Sequence, residues 1–454
     1  MTVTLEPRDA EELRRTVEWA LNDGVPLDIE GRGSKRAYGP PRTAGHVLSL
    51  AGIEGVVDYQ PEELVITVKA GTALREVEAL LAQRRQMLAF EPPDLGAILG
   101  GAPGEGSLAG ALMCNLAGPR RIAAGAARDH FLGFQGVNGR AERFKSGGKM
   151  VKNVTGYDLS KLMAGSLGTL AALDEITVKV VPAPEKVYTL LLVGLDDNAA
   201  IAALCAAMGS PNDVSGAAHL PADLSTRSSV DMVAQQGGAV TAIRIEGVAP
   251  SVEARMQALR TQFAAIAPAM EELHTMRSRL FWDEIRDVRL LSSTSPLVGE
   301  VGGAQRRRER APDARSSVAG RLPDPPPQGG RGHEGAALLW RLSCPPNDGA
   351  AVVAAIRRHR PDALAQYDWS GGLVWLSLAA NDPATDDAAH STVRAALVTR
   401  GGHATLVRAP EPVRARLSVF HPQSPALLAL SRRVKESFDP KSIFNTGLLL
   451  SEQR

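Results

Sequence analysis

The chain has 454 residues, with 51 basic and 50 acidic side chains and a net charge of +1, so no overall field attracts nucleic acid or an anionic bilayer. Hydrophobic residues make up 44% and charged residues 22%, which excludes a wholly disordered chain, and the length predicts two or three domains. The three scattered cysteines exclude an iron–sulfur or zinc site built by this chain alone, and they favour a reducing cytoplasm. The lack of long apolar runs argues against a membrane-spanning helix and against a secretory signal.

Residues 1–183 are predicted to form a first domain of the α+β class. The predicted elements are strands at 26–29, 56–58 and 65–70 and helices at 7–21 and 71–83. Asp9 is a typical N-cap for the first helix, whose apolar side chains share one face. This order is not the regular alternation of strand and helix that builds a parallel sheet.

A glycine-dense loop, Gly31-Arg-Gly-Ser-Lys35, follows the first of these strands. Glycine lets the backbone approach a ligand closely, successive amides can form a concavity that binds an anion, and Arg32 and Lys35 add positive charge. The loop matches neither the three-glycine dinucleotide pattern nor the P-loop pattern. Taken alone, it fits a phosphate-binding loop or a plain turn.

Three further segments could contact a ligand. After Pro92-Pro-Asp94, small residues dominate 104–118, which suits either an extended ligand or close packing of backbone. Arg128-Asp129 is either a ligand contact or a local ion pair, and it precedes a hairpin predicted at Asn138-Gly139. Asp158 is predicted to cap a helix over 159–164, which a second glycine loop at 165–169 would end.

Residues 184–292 and 336–410 are predicted to form a ferredoxin-like α/β cap domain on the substrate side. The predicted strands are 188–193, 240–245, 337–342, 373–379 and 404–407, and the predicted helices are 198–208, 252–266, 349–358 and 388–398. Between the two parts, 293–335 is rich in Pro, Gly and Arg and has no aromatic residue. We expect a disordered insertion there, the alternative being a basic tail for nucleic acid or a partner.

Residues 411–454 are predicted to be a C-terminal helix and a tail that packs back on the first domain. The helix is expected over 425–435, with Leu427, Leu428, Leu430 and Val434 spaced for burial. An apolar tail that ends in glycine and leucines follows this helix, and we expect the tail to be ordered rather than frayed.

In this order along the chain, the motifs resemble the FAD-binding domain of the vanillyl-alcohol oxidase/p-cresol methylhydroxylase superfamily. They are the glycine loop at 31–35, P-D at 93–94, G-x-x-x-G within 106–118, R-D at 128–129, K-N-V-x-G-Y-D-L at 152–159, G-S-x-G-T-L at 165–170 and F-N-x-G at 444–447. The segments 118–121, 150–158, 340–343 and 367–375 are further similar to the FAD-binding E subunits of glycolate oxidases. The resemblance covers nearly the whole chain apart from 293–335.

The resemblance implies a two-lobed domain that binds FAD. The residues that it places at the cofactor are Arg32, Gly33, Ser34, Lys35, Pro93, Asp94, Gly106, Ser107, Gly110, Asn115, Gly118, Arg128, Asp129, Lys152, Asn153, Gly156, Tyr157, Asp158, Gly165, Ser166, Gly168, Thr169 and Asn445. The loop at 31–39 has no His for covalent attachment, so a non-covalent FAD is expected. The tail reads Asn445-Thr-Gly447 where the family usually has N-P-G, which keeps the Asn.

The same resemblance leaves the catalytic residues unassigned. Related catalytic subunits carry an H-x-G-D-G-N strand that holds metal and substrate, whereas the comparable segment here, 367–372, has no His, and no metal site is expected. Arg341 and Arg286 could bind a carboxylate or could be ordinary ion-pair partners, and His421 is a lone acid–base candidate. Trp369 and Trp375 are expected in a core or interface rather than stacked on a flavin.

The function that the resemblance implies is an FAD-dependent subunit of a complex that oxidises glycolate to glyoxylate. This chain would bind flavin and relay electrons, while a catalytic FAD subunit carries out the substrate chemistry and an iron–sulfur subunit accepts electrons. Such a complex would lie in the cytoplasm, or peripherally on the cytoplasmic face of the inner membrane through partner subunits. The alternatives are a self-sufficient 2-hydroxy-acid dehydrogenase acting, for example, on D-lactate, and an assembly protein with a relic flavin fold.

Overall fold

A computed structural model describes residues 2–148, 156–267, 269–292, 337–380 and 382–449. The predicted insertion at 293–335 and the two predicted cofactor residues Lys152 and Asn153 lie outside the described residues. The described part combines helices with four β-sheets, which confirms the predicted α+β class. No helix in the described ranges is both long and apolar enough to cross a membrane.

The strands are β1 (Val3–Leu5), β2 (Leu27–Glu30), β3 (His46–Ser49), β4 (Val56–Gln60), β5 (Val65–Lys69), β6 (Gln86–Met87), β7 (Phe131–Asn138), β8 (Arg143–Gly147), β9 (Ala171–Lys179), β10 (Val181–Pro182), β11 (Lys186–Val193), β12 (Val214–Leu220), β13 (Val240–Gly247), β14 (Ala269–His274), β15 (Ala337–Ser343), β16 (Leu364–Asp368), β17 (Leu373–Ala379) and β18 (His403–Arg408).

The helices are α1 (Ala10–Asp23), α2 (Leu74–Gln83), α3 (Gly96–Leu99), α4 (Leu108–Met113), α5 (Arg121–Ala124), α6 (Leu159–Met163), α7 (Asp197–Met208), α8 (Ala222–Ser225), α9 (Asp231–Ala234), α10 (Ala249–Phe263), α11 (Thr275–Arg286), α12 (Gly349–Arg357), α13 (Pro383–Val398), α14 (Glu411–Arg416) and α15 (Pro425–Phe438).

Two sheets form the lobes of the N-terminal region, residues 2–183. A parallel three-stranded sheet has the order β1-β3-β2, and an antiparallel five-stranded sheet has the order β4-β5-β9-β7-β8. Leu13 and Val17 of α1 pack into a core that both sheets share. The Asp9 carboxylate accepts hydrogen bonds from the amides of Glu11 and Glu12, which confirms the predicted N-cap and makes α1 begin at Ala10 rather than at Pro7.

The cap region, residues 184–410, contains an antiparallel eight-stranded sheet of order β14-β11-β13-β12-β16-β17-β15-β18. Its two halves meet at a single residue pair, His219 with Tyr367. Each half runs strand–helix–strand–strand–helix–strand, with the first strand central, which is the ferredoxin-like topology. The five predicted strands are present within about two residues of their expected ends, whereas β12, β14 and β16 were not predicted.

One face of this sheet is covered by its own helices and the other faces the N-terminal region. Side chains of α7, α10, α12 and α13 form a core with the first face. On the second face, Trp369 and Trp375 join a cluster with Tyr38 and Leu116 of the N-terminal region. Both tryptophans are buried, as expected for core or interface residues.

The C-terminal tail returns to the N-terminal region next to β2. Phe444 pairs with Leu27 in a parallel bridge, and the Asn445 amide donates a hydrogen bond to the Leu27 carbonyl. The prediction that the leucines of α15 are buried is wrong for Leu427 and Leu430, which are 49% and 48% exposed. Spacing along a helix shows that such side chains share a face, but not whether anything covers that face.

Candidate functional site

A cleft opens between β2, the loop that follows it, α4 and the glycine loop before β9. The predicted cofactor residues that line this cleft are Arg32, Gly33, Ser34, Lys35, Ser107, Gly110 and Gly168. Gly106 is adjacent, because a Cβ there would lie 3.1 Å from Lys35 Nζ. The tertiary structure therefore brings together three motifs that are far apart in the sequence.

The walls of the cleft depend on glycine. A Cβ on Gly31 would lie 2.4 Å from Ser107 Oγ, so the loop after β2 can approach α4 only without a side chain. Gly33 and Gly168 have φ angles of +76° and +71°, a left-handed conformation that side chains strain. The result is a backbone-lined surface on which an extended ligand can lie.

Lys35 supplies an uncompensated positive charge to the cleft. Arg32 and Arg36 are held by Glu54 and Glu30, at 3.2 and 3.0 Å. The Lys35 ammonium instead lies 3.4 Å from Ser34 Oγ, and no carboxylate among the described residues is within ion-pair distance of it. An ammonium beside exposed loop amides is a suitable environment for a phosphate or pyrophosphate group.

Asp28 and Arg42 line the same cleft and were missed by sequence reasoning. Asp28 is 5% exposed, and its Oδ1 is 4.0 Å from Arg42 Nη1. Asp28 Oδ2 and Arg42 Nε and Nη1 are buried without a hydrogen-bond partner in the described structure. Burial raises the pKa of Asp28 and lowers that of Arg42. Since buried polar groups are normally satisfied, these atoms suit the hydroxyl and carbonyl groups of a ligand.

Asn445 braces the cleft instead of lining it. Its Oδ1 accepts a hydrogen bond from the Ile29 amide at 2.6 Å, and its Nδ2 donates to the Leu167 carbonyl at 2.6 Å. The side chain thus ties the strand before one glycine loop to the turn within the other. Gly165, Ser166 and Thr169 line a separate cavity under α15.

The other predicted cofactor residues do not line the cleft, and several have local structural partners. These residues are Pro93, Asp94, Asn115, Gly118, Arg128, Asp129, Gly156, Tyr157 and Asp158. The Asp94 carboxylate accepts from the amides of Gly96 and Gly104, and Asp158 caps α6 as predicted. Arg128 and Asp129 form an exposed pair with an N–O distance of 3.8 Å. Tyr157 is 91% exposed.

The turn between β16 and β17 of the cap sheet contacts the N-terminal region and lies beside two arginines. Trp369 and Ser370, between β16 and β17, have φ angles of +51° and +57°, which is unusual for residues with side chains. The Trp369 indole donates to the Gly118 carbonyl at 3.0 Å. The guanidinium carbons of Arg121 and Arg341 lie 4.3 and 5.2 Å from the centroid of its ring. This turn is the segment in which the sequence lacked histidine.

The side chains that sequence reasoning proposed for catalysis have different surroundings in the structure. Arg286 is bound to Asp283 and Asp287 at 3.0 and 2.7 Å, whereas Arg341 has no carboxylate partner among the described residues. His421 Nδ1 accepts from the Ala404 amide and lies 2.9 Å from Arg394 Nη1. In the described part of the chain, no group of three or more His, Cys, Asp or Glu side chains could hold a metal ion.

Asp368, next to Trp369, is a further buried acid that the sequence did not single out. It is 2% exposed and accepts a hydrogen bond from the Trp369 amide at 2.7 Å. Burial raises its pKa to about 7. The only signal in the sequence was its place in the segment comparable to the His-rich strand.

The cleft fits FAD. It combines a glycine-lined wall, the free Lys35 charge for the pyrophosphate and the unsatisfied Asp28 and Arg42 atoms for polar groups of the cofactor. When bound, FAD supplies the two-electron redox chemistry that protein side chains lack. The residues that line the cleft would hold and orient the cofactor.

Comparisons with known proteins agree with this geometry. The model of a family described as FAD binding domain matches residues 1–146. The glycolate oxidase subunit GlcE of Escherichia coli K12 is 30% identical over 98% of this chain and 98% of its own length. The glycolate oxidase subunit GlcD of Bacillus subtilis is also 30% identical, but over only 48% of this chain and 44% of its own length.

The fold is similar to that of a solved flavoprotein. A crystal structure of p-cresol methylhydroxylase with substrate bound superimposes with a TM-score of 0.69 over 98% of this chain and 88% of that chain, at 12% sequence identity. The FAD-binding fold expected from the motifs is thus confirmed, and FAD is the cofactor. With a similarity that extends over its whole length, the chain belongs to the family of the glycolate oxidase subunit GlcE.

Proposed function

We propose that this chain is the FAD-binding subunit of a complex that oxidises glycolate to glyoxylate. The observation that carries the proposal is the glycine-lined cleft with its unpaired Lys35, in a chain that matches a glycolate oxidase subunit from end to end. By contrast, the match to a D-lactate dehydrogenase of Anaerostipes hadrus, at 30% identity, covers only 42% of this chain and 38% of that protein. A subunit of a complex is therefore favoured over a self-sufficient dehydrogenase for D-lactate or another 2-hydroxy acid.

Within the cleft, we assign the pyrophosphate to Lys35 and to the amides of the loop from Arg32 to Ser34. Ser107 and Gly110 form the opposite wall, and Gly168 with Asn445 holds the third side. The predicted residues outside the cleft, such as Asp94 and Asn115, would act by shaping the loops that carry it.

Non-covalent attachment is supported by the side chains of the cleft. Among the described residues, no histidine lines the cleft, and the cysteine that lines it, Cys114, is largely buried, which raises the pKa of the thiol. A protonated thiol is a poor nucleophile toward a flavin ring. Denaturation with acid should therefore release all of the flavin into the supernatant.

We further infer that the substrate is oxidised on a sister catalytic FAD subunit and that an iron–sulfur subunit accepts the electrons. The support is that no histidine in the described part of the chain lines the cleft, since an acid–base group for a 2-hydroxy acid is commonly a histidine. The purified full chain should show a flavin absorbance spectrum but little bleaching with glycolate. Rapid glycolate oxidation by the isolated chain, followed with an artificial electron acceptor, would contradict this division of labour.

Gly33→Val tests the placement of the cofactor. The substitution should reduce flavin occupancy at least about tenfold, because a β-branched side chain is strained at a φ of +76° and intrudes on the wall of the cleft. Gly24→Val is the matched control, since Gly24 has a φ of +67°, ends α1 and has open space around it. Flavin per protein, from absorbance after purification, is the measurement. Equal occupancy in the two variants would show that the pyrophosphate lies elsewhere.

A further inference from the structure

Asp28 and Arg42 carry buried hydrogen-bonding groups that the described part of the chain leaves without partners. The free atoms are Asp28 Oδ2, Arg42 Nε and Arg42 Nη1. The two side chains are 7% and 15% exposed, and Arg42 Nη1 lies 4.0 Å from Asp28 Oδ1, which is too long for a hydrogen bond. Both side chains line the cofactor cleft. A ligand in the cleft can therefore supply the missing partners.

A second buried ion pair, Asp174 with Arg143, shows what a closed pair looks like in this domain. Arg143 Nη2 donates to Asp174 Oδ2 at 3.1 Å, and the Asp174 side chain is 1% exposed. Neither residue is among those that line the cleft. The open pair on the wall of the cleft and the closed pair away from it thus form a matched set for experiments.

The position of Asp28 on β2 separates the open pair from the phosphate-binding loop. β2 ends at Glu30, and the loop that we assign to the pyrophosphate begins at Gly31. Asp28 is three residues before Gly31, which is about 10 Å along an extended strand. A carboxylate would also repel a phosphate group. The pair is therefore placed to meet a ring of the cofactor instead of its phosphates.

The types of the free atoms favour the flavin ring over the adenine. Arg42 offers two free donors, and Asp28 offers one free acceptor. The pyrimidine edge of a flavin has one N–H group, at N3, between the carbonyl groups of C2 and C4, so its two acceptors and one donor are the complement. Adenine instead presents an amino group with two N–H bonds, which would leave one of them without an acceptor.

We propose that Asp28 and Arg42 bind the pyrimidine edge of the flavin ring, with the Asp28 carboxylate accepting from N3–H and the Arg42 guanidinium donating to an adjacent carbonyl. The proposal rests on the FAD cofactor of the proposed function and deepens it. The two side chains then act as specificity residues that decide which end of the dinucleotide lies beside β2, with the adenine on the other side of the pyrophosphate.

Displacement of FAD from the full, flavin-loaded chain by 3-methyl-FAD tests this contact. A methyl group replaces the N3 hydrogen in 3-methyl-FAD, so the analogue cannot donate to Asp28. We expect it to bind at least about tenfold more weakly than FAD, because a hydrogen bond to a buried carboxylate is lost. The measurement is the ratio of the two flavins that remain on the protein, separated by chromatography after incubation with mixtures of both.

A double variant and a matched control separate this contact from a purely structural ion pair. Asp28→Leu/Arg42→Met removes both charges, so that no unpaired charge is left buried, and it should bind FAD and 3-methyl-FAD within about threefold of each other. Its preference between FAD and an analogue with hypoxanthine in place of adenine should equal that of the wild type. Asp174→Leu/Arg143→Met removes the closed pair and should keep the wild-type preference for FAD over 3-methyl-FAD.

The assignment is overturned if the wild-type chain binds FAD and 3-methyl-FAD equally, or if Asp28→Leu/Arg42→Met keeps the full preference for FAD. A change in its preference between adenine and hypoxanthine would place the adenine at the pair and would also overturn it. The wild-type comparison needs no variant and decides even if the double variant does not fold. A chain that cannot be loaded with FAD refutes the proposed function as well, whereas glycolate oxidation by the isolated chain refutes only the division of labour between subunits.

Discussion

Replacing Lys435 by methionine is expected to lower the free energy of unfolding by about 3–5 kcal/mol, because the buried Asp439 carboxylate then has no cation to pair with. The Lys435 side chain is 9% exposed and Asp439 is fully buried, and the two are 2.5 Å apart. The ammonium also donates to the carbonyls of Thr169 and Phe444 at 2.7 and 2.8 Å. Without it, Asp439 keeps only its backbone donors, the amides of Ile443 and Phe444.

Urea unfolding followed by circular dichroism measures this loss. Lys441→Met is the control, since Lys441 is an exposed lysine of the same tail that donates only to the Leu21 carbonyl. The double variant Lys435→Met/Asp439→Asn should recover part of the loss, because it removes the uncompensated charge. If Lys435→Met were no less stable than Lys441→Met, the buried pair would not be what holds the tail.

The same substitution should also weaken flavin retention. Lys435 fixes the Phe444 carbonyl, and the next residue, Asn445, ties Ile29 to Leu167 across the cleft. A loosened tail therefore releases a brace between two walls of the cofactor site. Flavin occupancy after extended dialysis should fall in Lys435→Met and remain at the wild-type level in Lys441→Met.

Glu91→Gln is expected to cost a comparable amount, about 3–5 kcal/mol, at the junction of the two regions. The Glu91 carboxylate accepts from Arg244 Nη1 and Nη2 at 2.9 and 3.0 Å, and it is 3.0 Å from Arg120 Nη1. Arg120 also binds Glu246 at 2.6 Å. The neutral amide leaves two buried guanidiniums with one carboxylate between them.

The loss should depend on pH. Burial raises the pKa of Glu91, but the guanidiniums of Arg244 and Arg120 outweigh burial. The pKa of Glu91 is therefore below its ordinary value of 4.5. A carboxyl group with a depressed pKa in the folded state stabilises the fold fully above its unfolded pKa and loses that contribution as the pH falls through the folded pKa. Wild type and Glu91→Gln should therefore differ most near neutral pH and converge in acid.

Glu11→Gln is the matched control for Glu91→Gln. Glu11 forms an exposed ion pair with Arg14 on α1, which water and salt screen, so this variant should unfold almost like the wild type at neutral pH. The measurement is the free energy of unfolding of the three proteins over a series of pH values. A pH-independent difference between Glu91→Gln and wild type would argue against a buried charge network.

Local features of this protein could be predicted from the sequence because they depend on neighbouring residues. Asp9 and Asp158 cap their helices, as their residue types indicate, and the loop from Gly31 to Lys35 lines the cleft. The motifs in their order also gave the family and the cofactor. Strands β12, β14 and β16 of the cap sheet were missed, since none has the β-branched content of a typical strand.

Only the tertiary structure decided which polar side chains are paired. Arg286 and Arg341 were equivalent candidates in the sequence. In the structure Arg286 forms ion pairs with neighbouring aspartates, whereas Arg341 forms no ion pair with the described residues. Arg120 and Glu246 are 126 residues apart and meet in a buried ion pair. The sequence determined the glycine loops, the caps and the family, because short-range sterics and hydrogen bonding act within a few residues. Pairing and burial were decided by long-range packing, which brings together charges that no local pattern connects.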